Sequence, residues 1–593
     1  MTSRFVIGID LGTTNCVVTY APLDLKSAEI ALFPIPQLVA HQTVESRSSL
    51  PSFLYLATGA EADARVLTLP WESDPSFAVG VVARALSAEY PERTVSGAKS
   101  WLCHSRVDRH EAILPWKAPA TVPHVSPVTV VTRLLEHMIA AWNTANRDDP
   151  MALQQVVLTV PASFDESARE LTREAAIAAG LPESMVLLEE PQAATYAWLH
   201  AVGDRWRRMV RAGDRLLVCD VGGGTTDFTL VEVTECEGEL SLRRVAVGNH
   251  LLVGGDNMDL TLAHQTAQLF REKGVELDPW QSVSLWHLCR QAKESLLSDS
   301  GPATQTISVP GRSSRLIGGM VSVEVERQRV MDLLREGFFP DCELVDRPRR
   351  PRSSGFLDIG LPYEADTGIT RHLAGFLQQH CETAGVTHVV FNGGVFRSAC
   401  LREALMQQLG VWFGTQPPME LEGSRDLDFG VARGACYYLW SRHHGGVRIR
   451  GGTARSYYVG IETAGPAVPG APRPLAALCV VPQGMEEGTE LPVPAPPIGL
   501  VVGESARFRF FSSTSRSADR PGLRLNHWSP EELVETDSLE AALEGVDEIQ
   551  DEYVPVTFRS RITELGIFEL WCEHQPSGRC WKLEFSVREA PEQ

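Results

Sequence analysis

The sequence predicts an α/β domain built from two related halves, followed by an all-β domain. An apolar strand ending in aspartate, a Gly/Thr turn and a second apolar strand occur twice, as FVIGIDLGTTNCVVTY (5–20) and LLVCDVGGGTTDFTLVEV (216–233). Such a repeat signals an internally duplicated fold. Strands and helical stretches then alternate up to about residue 440. Beyond that point helical periodicity gives way to short alternating strands such as RFRFF (507–511), VPVTFRSRI (554–562) and CWKLEFSV (580–587), set between Pro, Gly and Ser turns.

At 593 residues the chain is long enough for two or more folded units, and 44% hydrophobic with 22% charged residues is a globular composition. After the first strand–turn–strand, residues 30–125 are mixed and Pro-rich, 126–144 read as a helix and QQVVLTVPA (154–162) as a strand. A helix follows from Asp165 to about Ala179, with Asp165 as N-cap and Glu166 and Glu170 near its positive end. Residues 256–300 read as helical, 303–330 as strands, 337–362 as a Pro/Arg/Gly-rich connection and 366–383 as a helix. THVVFNGGVFRS (387–398) is a strand, a Gly-Gly turn and a helix start, and a last helix covers DLDFGVARGACYYLW (426–440). The domain boundary falls near 441–455.

Net charge of −21, from 75 acidic and 54 basic residues, repels phosphate backbones and anionic lipid. Apolar stretches such as Leu475–Pro482 fall short of the ~18–20 residues that span a bilayer. Neither nucleic acid nor a membrane is an expected partner, and the N-terminus has no secretory h-region, so a cytoplasmic location is expected. The twelve cysteines show no CxxC and no zinc spacing, which predicts free thiols. Lysine is scarce (Lys26, Lys99, Lys117, Lys273, Lys293, Lys582), so a lysine at a chemically suggestive position stands out.

An aspartate at the end of a buried strand, followed by glycines and threonines, suits a magnesium-nucleotide site. Glycines let backbone N–H groups approach phosphate and threonines add hydroxyl donors. Gly12, Thr13 and Thr14 in one turn, and Gly222, Gly223, Gly224 and Thr225 in the other, take that part. Asp10 and Asp220 are candidates to hold metal-bound water, since Mg²⁺ takes oxygen ligands and keeps several waters. Either turn alone could be a plain tight hairpin; two at matching strand ends argue against it.

Six segments in order, GIDLGTTN (8–15), LTVPASFDESARELTREAAIAAGL (158–181), LLEEPQAATYAW (187–198), VCDVGGGTTDF (218–228), VGGDNMD (253–259) and FNGGVFR (391–397), resemble the nucleotide-binding domain of DnaK-type chaperones, the seventy-kilodalton heat-shock family. The likeness covers about residues 4–440, and is weaker between the β-rich part and that family's substrate-binding sandwich. It implies a two-lobed, actin-like ATPase domain of duplicated ribonuclease-H-like units at 1–440, a basic Gly-rich linker at 441–456 and a β-sandwich-like domain at 457–593. It implies ATP/ADP and Mg²⁺ as cofactors and leaves a K⁺ requirement open. By resemblance Thr13 and Thr14 contact the β- and γ-phosphates, Asp10 and Asp220 hold hydrated Mg²⁺, and Lys99 is the catalytic lysine. Glu190 and Asp227 orient the attacking water, and Thr225 caps the γ-phosphate. Gly254, Gly255, Lys293, Gly393, Gly394, Arg397 and Asp428 take the adenosine. Pro161 and Arg169 match residues that relay nucleotide state, although an ordinary pair with Asp165 or Glu166 is an equal expectation for Arg169.

The sequence departs from the family pattern in several places. Arg290 stands where a ribose-binding glutamate is usual, a serine expected near Leu297 is absent or shifted to Ser298, Val395 replaces another serine, and Val186 takes the place of an arginine that docks the J-domain partner. HHGGVRIRGGTARS (443–456) replaces an acidic, leucine-rich linker, and no helical lid follows before Gln593. The expected function is a divergent chaperone whose slow ATP hydrolysis controls the grip of the β-domain on a polypeptide client or a dedicated protein partner. A nucleotide-exchange factor is among the implied partners, and an ordinary J-domain partner is in doubt. The alternatives are a nucleotide-gated scaffold or adaptor without general chaperone activity and, third, a small-molecule kinase of the actin-like superfamily.

Overall fold

The computed structural model describes residues 3–585 except 72–75, 105–106, 237–238, 311–319, 350–360, 362, 382–384, 424–425, 448, 451, 454, 463–474, 487, 502–504, 531, 543–552 and 564–567. Four strands make the centre of a first sheet: β1 (Phe5–Leu11), β2 (Asn15–Pro22), β3 (Gln155–Val160) and β4 (Val186–Glu189). Their order is β4-β3-β1-β2, with Ala31–Leu32 and Leu50–Pro51 added on β2. β1 runs parallel to β3 and antiparallel to β2. The second sheet repeats this pattern with β5 (Arg215–Val221), β6 (Thr226–Cys236), β7 (Glu239–Val247) and β8 (His388–Asn392), where β5 is parallel to β8 and antiparallel to β6. The duplication legible in the two turns is therefore also a duplication of strand pairing. In each copy the turn aspartate ends the central strand, which is why its apolar run is buried on both faces.

Seven helices position the site: α1 (Ala98–Trp101), α2 (Pro127–Ala145), α3 (Glu166–Ala178), α4 (Glu190–Val202), α5 (Gly255–Glu272), α6 (Pro279–Leu296) and α7 (Gly430–His443). Asp165 caps α3 as the sequence predicts, its Oδ1 accepting from Ala168 N at 2.8 Å. α4 begins with Pro191 in its first turn, where the missing N–H costs nothing. It is buried on nearly every side because α7 crosses it closely: a Cβ on Gly434 would run into the Ala193 carbonyl. One apolar core lies under the first sheet and another under the second, while a third joins Val6 and Val157 to Leu216, Val218 and the facing sides of α4 and α7.

Two stretches differ from the sequence reading. The helical stretch 256–300 is two helices, because Asp278 caps a fresh N-terminus by accepting from Gln281 N at 2.8 Å. The strand stretch 303–330 is the hairpin Thr304–Pro310 with Met320–Glu326, and the chain then turns helical at Arg327–Phe338, where Val330, Leu334 and Phe338 fall on one buried face.

Past α7 the basic, Gly-rich stretch does not stand clear of the α/β part. Ile449–Arg450 pairs parallel to β7, and the Ile449 amide donates to Tyr196 Oη at 2.9 Å. The remainder is β: β9 (Ser456–Glu462), β10 (Leu475–Val481), β11 (Ser505–Ser513), β12 (Val534–Ala542), β13 (Tyr553–Ile562), β14 (Phe568–His574) and β15 (Arg579–Phe585). They form one hydrogen-bonded series in the order β13-β14-β15-β12-β11-β9-β10, extended by short strands at both ends. Its core holds the stacked rings of Tyr457, Phe510 and Phe568, with centroids 5.4–5.6 Å apart. Tyr457 also reaches out of this core, its Oη donating to Glu166 Oε1 on α3 at 2.7 Å.

Candidate functional site

The Gly/Thr turns after β1 and β5 face each other across a cavity of about 350 Å³, within the size range of small-ligand pockets. A Cβ on Gly223 would strike Thr14 Oγ1, so the second turn can come this near only as glycine. Asp10, Gly12, Thr13, Thr14, Lys99, Glu190, Asp220, Gly222, Gly223 and Thr225 line one end. Gly255, Lys293, Gly393, Gly394, Arg397 and Asp428 line the other, joined by Asp256, Arg290, Glu294, Leu297, Ser298 and Val395. Among the site residues read from sequence, Asp227, Gly224 and Gly254 lie behind the wall. A Cβ on Gly224 would press on Thr13 and Ser100, and one on Gly254 would press on the carbonyls of Gly222 and Gly223.

Lys99 is 5% exposed and pairs through Nζ with Glu190 Oε1. Burial works against its charge, but Glu190, Asp10 and Asp220 together hold its pKa above the ordinary lysine value. The carboxylates are in the opposite position. Burial, then the charge of Glu190, pushes Asp10 up to about 7, although Lys99 and the hydrogen bond from Thr159 Oγ1 (3.0 Å) oppose this. Asp227 is pushed up to about 7 mainly by burial. Asp220 is likewise pushed well above the ordinary carboxylate value, through burial and then repulsion from Glu190 and Asp227. Four carboxyl groups around one lysine leave an excess of negative charge that a cation would relieve. Among the described residues no three His, Cys, Asp or Glu side chains converge as direct ligands. The donor set therefore fits an ion held through water and substrate oxygens by Asp10 and Asp220, as Mg²⁺ prefers, and not a caged metal.

Three polar residues of this site escaped the sequence reading. Thr159 reaches Asp10 because β3 lies parallel to β1 with Ile9 beside Leu158; Asn392 Nδ2 donates to Asp220 Oδ2 at 2.7 Å because β8 lies parallel to β5. Ser163 faces Asp227 with both hydroxyl and amide. Thr159 and Asn392 are set by pairing between strands far apart in the chain and Ser163 by the turn that follows β3, to all of which local pattern is blind. At the opposite end, Arg290 is no free guanidinium. Its Nε donates to Asp259 Oδ2 at 2.8 Å and its Nη2 pairs with Asp256, while Lys293 Nζ lies 2.7 Å from Asp259 Oδ1. Asp256 thus presents a carboxylate on the wall where the sequence alone suggests that a hydroxyl acceptor is lost. Arg169 pairs with Glu189 Oε1 at 2.8 Å, and not with Asp165 or Glu166, and Arg244 pairs with the same carboxylate. Glu189 directly precedes Glu190.

Residues 73–345 match the sequence model described as Hsp70 protein. The chaperone protein DnaK of Stenotrophomonas maltophilia (strain R551-3) is 24% identical over 432 residues, which is 72% of this chain and 58% of DnaK. A chaperone protein HscA homolog of Shewanella sediminis (strain HAW-EB3) is 29% identical over 319 residues, 51% of this chain and 43% of the relative. The chain thus spans about half the length of these curated relatives. Duplicated mixed sheets meeting at two phosphate-type turns are the mark of the actin-like ATPase fold. Within that class the chain is similar to Hsp70 proteins, by the family match over residues 73–345 and by the two chaperone relatives. Among the described residues no helix is long and apolar enough to cross a membrane.

Proposed function

We propose that this chain is a divergent Hsp70-type chaperone that binds and slowly hydrolyses Mg-ATP, with residues 1–440 as a two-lobed nucleotide domain, 441–456 as its linker and 457–593 as a sandwich-like domain that grips a polypeptide. The observation that carries the reading is the single buried lysine, Lys99, set among Asp10, Glu190 and Asp220 where the two turns meet. In this reading Thr13, Thr14 and the backbone of Gly12, Gly222 and Gly223 take the β- and γ-phosphates, and Thr225 caps the terminal one. Lys99 remains charged at neutral pH and so stabilises negative charge on the transferring phosphoryl group. Glu190 and Asp227 accept hydrogen bonds from the attacking water; Asp227 suits this, being 2% exposed with an Oδ1 that no described residue satisfies. Asp10 and Asp220 would hold the magnesium ion, which supplies charge neutralisation on the phosphates when bound. Lys293, Gly255, Gly393, Gly394, Arg397 and Asp428, with Asp256 in place of the usual glutamate, take the nucleoside.

The relatives named as chaperones support the polypeptide-directed part of the reading. The test is ATP turnover by the purified chain, with and without a permanently unfolded polypeptide, beside Lys99→Ala. Hydrolysis that needs Lys99 and rises with the polypeptide is expected; turnover unaffected by Lys99→Ala overturns the assignment. Lys99-dependent hydrolysis indifferent to the polypeptide points to the second reading, a nucleotide-gated adaptor for a dedicated partner. That reading is favoured by the pairing of Ile449–Arg450 onto β7, which ties the linker down.

A further inference from the structure

The β-rich region reaches the hydrolytic end of the cavity from behind. Arg455, one residue before β9 and 8% exposed, donates from Nη2 to the Ser163 carbonyl at 3.1 Å and from Nη1 to Ser512 Oγ at 3.3 Å. A cationic donor fixes a buried carbonyl more firmly than a neutral one. Ser163 in turn has its Oγ 2.6 Å from His250 Nδ1 and presents its hydroxyl and amide to Asp227. Burial, then the charges of Arg455 and Lys99, pushes His250 down to about 3, so its ring is neutral. With the proton on Nδ1, that ring donates to Ser163 Oγ and leaves the serine proton for the Asp227 carboxylate. Arg455 and His250 thus fix one serine from two sides, and that serine faces Asp227.

We propose, on the reading of Asp227 given above, that Arg455 is a positioning residue for hydrolysis: by pinning the Ser163 peptide it holds Asp227 in its working orientation, so the β-rich region supplies part of the nucleotide site's geometry. The neighbouring contact between Tyr457 and Glu166 crosses the same junction without touching Ser163 or Asp227 and serves as the control.

The experiment measures single-turnover ATP hydrolysis and equilibrium nucleotide affinity on the full chain, for the unsubstituted protein, Arg455→Met, Arg455→Lys and Tyr457→Phe, with thermal unfolding of each. Expected are a fall of about tenfold in the hydrolytic rate of Arg455→Met with nucleotide affinity within about twofold, recovery of at least half the rate in Arg455→Lys, and a rate within about twofold of the parent in Tyr457→Phe. A folded Arg455→Met that hydrolyses at the parental rate overturns the proposal while leaving the ATPase reading intact. So does a Tyr457→Phe rate as low as that of Arg455→Met, which would mean that docking as such is what matters. Arg455→Gln carries the same expectation should the Met variant not fold; failure of both to fold assigns Arg455 to stability and overturns the proposal. No hydrolysis by the unsubstituted chain overturns both readings together.

Discussion

Asp220 destabilises the molecule that needs it. Its carboxyl is buried and repelled by Glu190, Asp227 and Asp10, against which stand the Asn392 amide and the charge of Lys99. Replacing it by asparagine keeps the shape and removes the buried charge. Asp220→Asn is expected to raise the thermal midpoint of the nucleotide-free protein by ~1–2 °C, the size of about 1–2 kcal/mol in a domain of this length. The same variant should lose the rise in midpoint that Mg-ATP gives the parent; scanning calorimetry with and without Mg-ATP reads both arms, and a lower midpoint without nucleotide would contradict the reading. Lys99→Ala acts on the other sign of charge. Because, among the described residues, Lys99 is the one cation beside these carboxylates, its loss is expected to slow hydrolysis by ~10²–10³, or ~3–4 kcal/mol, while nucleotide is still retained in a filter-binding assay.

α4 and α7 are the elements on which the site's placement depends, since α4 starts at Glu190 and α7 crosses it at Gly434. Gly434→Ala forces the two backbones apart and is expected to cost ~2–4 kcal/mol in urea unfolding, with hydrolysis falling as Glu190 moves. Gly430→Ala, on the same helix, would meet only the Ala197 Cβ at 3.9 Å and should remain within about 1 kcal/mol of the parent. At this scale much was legible in the sequence: the two strand–turn–strand units, the Asp165 cap of α3, and Asp10 and Asp220 at the strand ends carry local signatures, whereas Lys99 was singled out by family resemblance. Thr159, Asn392 and Ser163 do not: parallel register between distant strands brings the first two to their aspartates, and the turn after β3 brings Ser163 beside Asp227. The helix Arg327–Phe338 was hidden by the alternating MVSVEVE run before it, whose period of two masks a boundary without Gly or Pro. The swap of Arg290 for a carboxylate was visible, but its compensation by Asp256 needed two helices to be brought side by side.

Across the whole molecule, two sets of buried groups pull stability in opposite directions as pH falls. Burial pushes His137 and His380 down to about 4 and His250 and His287 to about 3, so these rings stay neutral in the fold while the unfolded chain takes up protons below about 6.5. Stability from this set is lost as pH drops from 6.5 towards 4. Asp10 and Asp227, raised to about 7, do the reverse, because the folded protein takes up their protons first and gains stability as pH falls below 7. On the proposed reading, bound Mg-ATP would compensate the carboxylates and leave the histidines alone. The thermal midpoint should therefore fall more steeply between pH 6.5 and 4.5 with Mg-ATP than without it, and equal slopes would contradict the placement of the ion beside Asp10. Replacing His137 by Phe, which keeps a ring beside Trp71, should flatten both curves.

The meeting of Thr14 and Gly223 bears on how a repeated unit can serve a single ligand. Two copies of one turn placed face to face would, if identical, each project a hydroxyl-bearing side chain into the same few ångströms. One wall must recede for the other to advance, and the insertion of two further glycines in VGGGTT relative to LGTT is that concession. The halves are alike in strand pairing and unlike at their tips, so a ligand between them would meet a handed seam with one projecting side and one yielding side. Substituting Gly223 by any larger residue would restore the symmetry of the pair and act as a wedge in that seam.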